Sequence, residues 1–241
     1  SEMCIRDRYN VGLIFSLTFI LVSLAFKFGA APFHMWVPDV YHGALTPTTL
    51  LLSTLPKVAV FIVLIRLLVD AFSGLFGFWS EMVLVLSIVS IIVGNIIAIA
   101  QTNIKRMLAY STIANIGFIL ISLSIGNKDA YEASMFYTLS YVVMTMAAFG
   151  ILLLITCNKK PIEEINDLKG LNSQYPWLAF LLMIIMLSLA GIPPFIGFHA
   201  KLSIISTLIN AGNVYLAIFA VLMTVIGAYY YLRVVKVIYF D

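Results

Sequence analysis

The sequence is short of charge and of reactive side chains. Asp, Glu, Lys and Arg together make up 10% of its 241 residues, against about 25% in an ordinary soluble domain. Its two cysteines, Cys4 and Cys157, have no CxxC partner and no histidine-rich neighbourhood, which argues against a disulfide framework or a metal site. There is no glycine-rich phosphate loop, no nucleophile elbow and no HExxH pair. A net charge of +3, thinly scattered, gives no basic face for nucleic acid. What remains is apolar: 62% hydrophobic residues and a mean hydropathy of +1.06. A soluble core of this size does not need so much apolar surface, so the composition describes an all-α polytopic membrane protein.

A helix crosses a bilayer of about 30 Å with about 20 apolar residues, and backbone groups in lipid must be satisfied within the segment. Seven segments meet that length, at roughly 11–43, 47–69, 81–101, 107–126, 133–157, 176–210 and 214–236. The first and sixth are too long for one simple crossing, and each has a break near its middle. Gly29 and Pro32 interrupt the first; Gly191, Pro193 and Pro194 interrupt the sixth. Proline removes a backbone donor and clashes with the preceding turn. Pro-kinked helices would also explain these stretches, but excess length with a break at both sites favours two discontinuous helices. They lie five segments apart and so run in opposite orientations, as inverted five-helix repeats require. Paired breaks of that kind are the sequence pointer to an ion or substrate site.

Lysine and arginine counts orient the segments. Lys105, Arg106, Lys159, Lys160, Lys169, Arg233 and Lys236 fall on one side; Arg66, Lys128, Arg6 and Arg8 fall on the other. The richer side is the cytoplasm, or the matrix of a mitochondrion. The stretch "NKKPIEEINDLKGLNSQ" reads as a surface connection. Residues 1–8, "SEMCIRDR", lack the apolar stretch of a signal peptide and look like a non-native leader of translated adapter sequence. The membrane domain is expected over 9–241.

Within this apolar background, "LAFKFGAAPFHMW" carries a lysine beside a helix break. Lys27 lies at the midpoint of the first segment, Lys57 near the midpoint of the second, and Lys201 about two turns beyond the break in the sixth. With about ten residues or more of helix on either side, roughly 15 Å, these side chains cannot snorkel to the headgroups. A charged lysine at that depth costs at least about 2.5–3.5 kcal/mol, so it faces a hydrated interior or a partner. No carboxylate lies within the cores of the same segments, although Glu81 begins the third. A packing role for one lysine is plausible; three of them favour function. Desolvation disfavours the charged form, so a buried lysine can hold or release a proton near physiological pH. His34 and His199 flank the breaks and read equally as proton relays or as buried histidines bonded to backbone. Asp39 reads as a cap or turn residue, Arg66 and Asp70 as an i,i+4 pair, and Tyr229, Tyr230 and Tyr231 as packing or aromatic-belt residues.

At these residues the sequence resembles a known family. "KFGAAPFHMWVPDVYHGALTPTTLLLSTLPK", "QTNIKRMLAYSTIANIGF" and "LAGIPPFIGFHAK" are similar, in the same order, to stretches of the antiporter-like membrane subunits of respiratory complex I. "PDVYHGALTPTT" is nearer to the N branch of that family than to its L or M branches, and Lys201 stands where the M branch has glutamate. The resemblance implies that the seven segments are family helices 7 to 13 of fourteen, with family helices 1–6 and 14 not represented. It implies that Lys27, Lys57 and Lys201 carry proton translocation, Lys27 paired with a glutamate from an earlier helix. Asn115 stands where most relatives have histidine, so another donor or a water would replace that group. The resemblance further implies an integral protein of the bacterial inner or mitochondrial inner membrane, with other complex I membrane-arm subunits, the lipid bilayer and protons as its partners. No cofactor is expected on this chain; NADH, FMN, iron–sulfur clusters and quinone belong to partner subunits. The alternative reading is a subunit of a multisubunit sodium/proton antiporter, which shares the fold. A scaffold without catalytic function is a third.

Overall fold

The computed structural model describes residues 11–158 and 162–240. The leader expected at residues 1–8, and Lys159 and Lys160, lie outside the described residues. The fold is helical: α1 (Val11–Phe28), α2 (Trp36–Gly43), α3 (Thr46–Ile65), α4 (Phe76–Ala100), α5 (Ile104–Leu123), α6 (Lys128–Asn158), α7 (Pro176–Ala190), α8 (Ile196–Asn210) and α9 (Val214–Tyr239). A π-helical turn, Arg66–Ala71, continues α3, and a 3-10 turn, Ile165–Leu168, follows α6. No named strand occurs among the described residues; one isolated bridge joins Asn103 and Glu164. Five stretches, Thr46–Ala71, Ser73–Ala100, Ile104–Leu123, Lys128–Thr156 and Val214–Tyr239, are long and apolar enough to cross a membrane; Gly12–Phe28 and Pro176–Ala190 are apolar but shorter.

Local sequence explains the ends. Pro47 and Pro176 sit in the first turns of α3 and α7, where a missing N–H costs nothing. Asn103 caps α5 by accepting from the Arg106 N–H at 3.1 Å. Several helices run further than hydropathy predicts: α4 starts at Phe76 rather than 81, α5 at Ile104 rather than 107, and α6 at Lys128 rather than 133. Glu81 therefore lies inside α4 instead of starting it. The added turns of α5 and α6 carry Lys105, Arg106, Lys128, Asp129 and Glu132, charged residues that form helix whatever their hydropathy, whereas the added turn of α4, Phe76–Ser80, is largely apolar.

α5 is the axis of the molecule. In its apolar span 89% of residues are buried, against 28% in α9. It packs closely on α4 because each helix offers a glycine. A Cβ on Gly94 would meet the Ala114 N at 2.5 Å, and one on Gly117 would meet the Ser87 carbonyl at 2.8 Å. Small residues of this kind let membrane helices approach backbone to backbone.

Of the basic residues assigned to one side, those described collect at one end. Ile104 N–H donates to the Glu163 carbonyl and Ile165 N–H to the Thr102 carbonyl, so the connection after α6 lies against the α4–α5 turn. Arg233 on α9 donates to Ile99 and Gln101 carbonyls at 3.3 and 3.2 Å. Lys105 reaches the Ala44 carbonyl at 3.2 Å, and Arg106 pairs with Asp39 at 3.5 Å. Asp39 is thus in the first turn of a helix and ties α2 to α5, rather than capping a turn alone. Arg66 and Asp70 do pair, at 3.5 Å with both side chains exposed, a geometry that contributes little.

Candidate functional site

The two breaks are built alike. At the end of α1, Ala30 N–H donates to the Ala25 carbonyl at 2.9 Å, and Gly29 sits at φ +85°. At the end of α7, Ile192 N–H donates to the Leu187 carbonyl at 3.1 Å, and Gly191 sits at φ +85°. This is the Schellman geometry, in which a left-handed residue, nearly always glycine, ends the helix. The helix is therefore stopped by glycine, and Pro32, Pro193 and Pro194 follow beyond the stop, where they keep it from resuming. Sequence alone named glycine and proline together at each break and did not separate their parts.

Ending a helix leaves carbonyls without intrahelical donors. In this protein lysines supply them. Lys57, on α3 and 1% exposed, donates through Nζ to the Phe28 carbonyl at 2.6 Å, with Nζ 5.4 Å from the centre of the Trp36 ring. Lys201, on α8 and 7% exposed, donates to the Leu189 and Ala190 carbonyls at 3.0 Å each, with Nζ 5.7 Å from the Phe118 ring. Both ammonium groups face the negative end of a helix macrodipole and an aromatic face. Two other freed groups are matched by serines: Ala31 N–H donates to Ser90 Oγ at 2.8 Å and Gly197 N–H to Ser188 Oγ at 3.2 Å. The ion pairs among the described residues involve Arg66, Arg106 and Lys128, not these two lysines. Glycine is needed for a second reason: a Cβ on Gly29 would stand 3.3 Å from Lys57 Nζ, and one on Gly191 would stand 2.8 Å from Lys201 Cδ.

The other residues expected at the site are divided. Lys27 lies in the last turn of α1 and is exposed, as are Phe19 and Phe26 of the same helix; within this chain it does not join Lys57. His34 is buried near Tyr110, with ring centres 6.3 Å apart. It faces the Pro32 carbonyl, but neither ring nitrogen makes a well-formed hydrogen bond. His199 is exposed and packs edge-on against Phe198 at 5.6 Å.

Between the breaks runs a polar seam centred on α5. Tyr137 OH donates to Asn115 Oδ1 at 2.6 Å, and Asn115 Nδ2 donates to the Ser111 carbonyl at 2.7 Å and reaches Tyr231 OH at 3.4 Å. Tyr141 OH donates to Thr112 Oγ1 at 2.7 Å, and Tyr230 OH to Asn95 Oδ1 at 3.2 Å. The seam approaches both lysines. Phe118, under Lys201, stacks on Tyr137 at 6.2 Å, while Ile116 packs against Gly29. Of the three consecutive tyrosines, only Tyr229 is exposed; Tyr230 and Tyr231 are buried with their hydroxyls engaged, so those two are packing residues and not part of an aromatic belt. The signal was present in the spacing. Tyr137 and Tyr141 are one turn apart on α6, as are Ser111 and Asn115 on α5, each pair marking a polar stripe in an apolar helix. Asn115, where the resemblance implied a histidine in most relatives, accepts from Tyr137.

Residues 5–227 match the family described as NADH:quinone oxidoreductase/Mrp antiporter, TM. NADH-quinone oxidoreductase subunit N of Thioalkalivibrio sulfidiphilus is 50% identical over 232 residues, 96% of this chain and 48% of that protein. The chain thus spans about half the length of the curated relatives it matches. Among solved structures, respiratory complex I from Thermus thermophilus with bound aureothin contains a chain similar at TM-score 0.80 and 35% identity, over 95% of this chain and 50% of that one. The Mrp complex from Dietzia sp. DQ12-45-1b has a chain with TM-score 0.89 at 24% identity, over 97% and 43% respectively, a likeness of fold.

Proposed function

The chain belongs to the NADH:quinone oxidoreductase/Mrp antiporter transmembrane family, and on that premise we propose that it is part of a proton-translocating membrane-arm subunit of NADH:quinone oxidoreductase. In this reading α1 with α2, and α7 with α8, each make one discontinuous crossing. Together with the five long helices that gives seven crossings within an inverted five-helix-repeat fold. The observation that carries the proposal is a buried lysine whose Nζ lies 2.6 Å from a carbonyl freed by a helix break, and whose counterpart, Lys201, is held the same way. A carboxylate partner would fix the charge of such a lysine. Carbonyls accept from an ammonium and from a neutral amine alike, so the group can lose and regain a proton without losing its contact.

Lys57 and Lys201 act as proton stores, and the seam through Asn115, Tyr137 and Tyr231 lies between them, separated from Lys201 by Phe118 and from the Gly29 break by Ile116. Lys27, on an open face of this chain, takes a carboxylate from a preceding helix. Two unit charges about 6 Å apart interact by roughly 3 kcal/mol at an effective dielectric of 20, which is about two pKa units. A charge change beside Lys27 is therefore large enough to move its proton. Redox chemistry, with NADH, FMN, iron–sulfur clusters and quinone, belongs to partner subunits, and the other membrane-arm subunits and the bilayer are the direct partners. The setting is a bacterial or mitochondrial inner membrane.

In the complete assembled complex, Lys57→Ala lowers NADH oxidation linked to proton pumping by about tenfold or more, the scale of losing a positioned proton-transfer group. Unchanged turnover with unchanged proton stoichiometry refutes the role. The sodium/proton antiporter reading, favoured by the Mrp-like fold, predicts sodium-dependent proton flux without NADH-linked turnover. A scaffold would lose assembly but not pumping when the three lysines are replaced.

A further inference from the structure

At the basic end of the molecule a cleft of about 550 Å³ opens between the last turns of α9 and the 3-10 turn Ile165–Leu168. Arg233 and Lys236 line it from one face of α9, three residues apart, with Tyr229 one turn before Arg233 and Asn166 opposite. Among the described residues no carboxylate lines the cleft. In the adjoining connection the Asp167 carboxylate is already engaged, accepting from the N–H groups of Glu163 and Glu164 at 3.1 and 2.8 Å. Arg233 is fixed by its bonds to the Ile99 and Gln101 carbonyls, whereas Lys236 is exposed. Below the cleft the same face of α9 is apolar and open. Leu222, Val225, Ile226, Tyr229 and Leu232 are all exposed and recur at helical spacing, forming a strip that leads from the cationic pair toward the membrane interior.

We infer that this cleft and strip bind one anionic phospholipid, its phosphodiester on Arg233 and Lys236 and an acyl chain along Leu222–Leu232. Two cations at the end of a membrane helix, Arg233 fixed and Lys236 exposed, on the side that the basic residues mark as cytoplasmic, match the charge of such a headgroup. Tyr229 lies where an aromatic ring suits the interface, and the open strip continues from the headgroup site without a polar interruption. A soluble phosphate would use the cations but leave the strip without purpose. A partner helix could cover the strip but would need an acidic group at Arg233 and Lys236.

The test uses native membranes containing the full-length subunit in its assembled complex. A phosphatidylglycerol carrying a photoreactive acyl chain is compared with the matching phosphatidylcholine, and adducts on the 214–240 peptide are quantified by mass spectrometry. Phosphatidylglycerol labels that peptide more than phosphatidylcholine, and Lys236→Gln lowers the preference by about fivefold, the contribution of one cation near an anionic surface. Lys236→Arg retains it. Because Lys236 is exposed, the substitution leaves assembly intact, and Arg233→Lys provides an independent variant with its charge preserved. Equal labelling by the two lipids overturns the inference. So does absence of labelling by either, which means that protein covers the strip. Loss of labelling on adding inorganic phosphate alone overturns the lipid assignment in favour of free phosphate.

Discussion

A buried amine facing only carbonyls has an unusual freedom: its hydrogen bonds survive the loss of its proton, while its charge does not. Lys57 and Lys201 share that environment, although one arrives from the next helix and the other from within its own broken pair. The neighbouring seam is more rigid. Tyr137 donates at 2.6 Å to an Asn115 oxygen that is fully enclosed. Tyr137→Phe leaves that oxygen without its donor and costs about 1–3 kcal/mol, read as a lower melting temperature of the purified complex. Adding Asn115→Leu restores most of the loss, because removing both partners is nearly neutral. A double mutant no more stable than Tyr137→Phe counts against the pairing.

At the scale of the element, the helix breaks depend on glycine twice over, for its backbone conformation and for the space beside it. Gly212 is the control, since its φ is +79° but nothing lies within 4 Å of a Cβ placed there. Gly212→Ala carries only the backbone cost of about 1–2 kcal/mol. Gly191→Ala carries that cost and also displaces Lys201, so it lowers NADH-linked turnover as well as stability, whereas Gly212→Ala spares turnover. Measuring both properties in the two variants separates a general backbone effect from one specific to the site. The α4–α5 contact is a second element-scale feature. Gly117→Val drives side-chain atoms into the Ser87 carbonyl and Ile91, and overpacking of this kind costs about 1–3 kcal/mol or more. The amount of assembled subunit in the membrane falls accordingly, by quantitative immunoblot; an unchanged level shows that the helices can separate without penalty.

At the scale of the whole molecule, Lys105, Arg106, Lys169, Arg233 and Lys236 gather at one end, and Arg66 and Lys128 lie outside that group. In a variant with Cys4 and Cys157 replaced by serine, a cysteine at Lys169 reacts with an impermeant maleimide in inverted vesicles and not in spheroplasts. A cysteine at Lys128 shows the reverse. Identical sidedness for the two positions would overturn the orientation drawn from the charge count.

The helical class, the helix ends before Gly29 and Gly191 and the presence of lysines in apolar runs were legible from the sequence because each is a local signal. Twenty apolar residues, a Gly-Pro interruption and a charge in an apolar run need no knowledge of neighbours. The same locality explains what was misjudged. Hydropathy started α5 and α6 too late because polar turns are helical without being apolar. Burial is a property of the assembled bundle, so the sequence could not separate exposed Lys27 and His199 from enclosed Lys57, Lys201 and His34. Hydrogen-bond partners 22 to 135 residues apart, such as Tyr137 with Asn115 and Tyr230 with Asn95, came from packing alone. The sequence determined that the chain is a bundle of apolar helices with cations and breaks inside it. Tertiary structure decided which cation meets which break, because a helix's open carbonyls select whichever donor the neighbouring helix brings within reach.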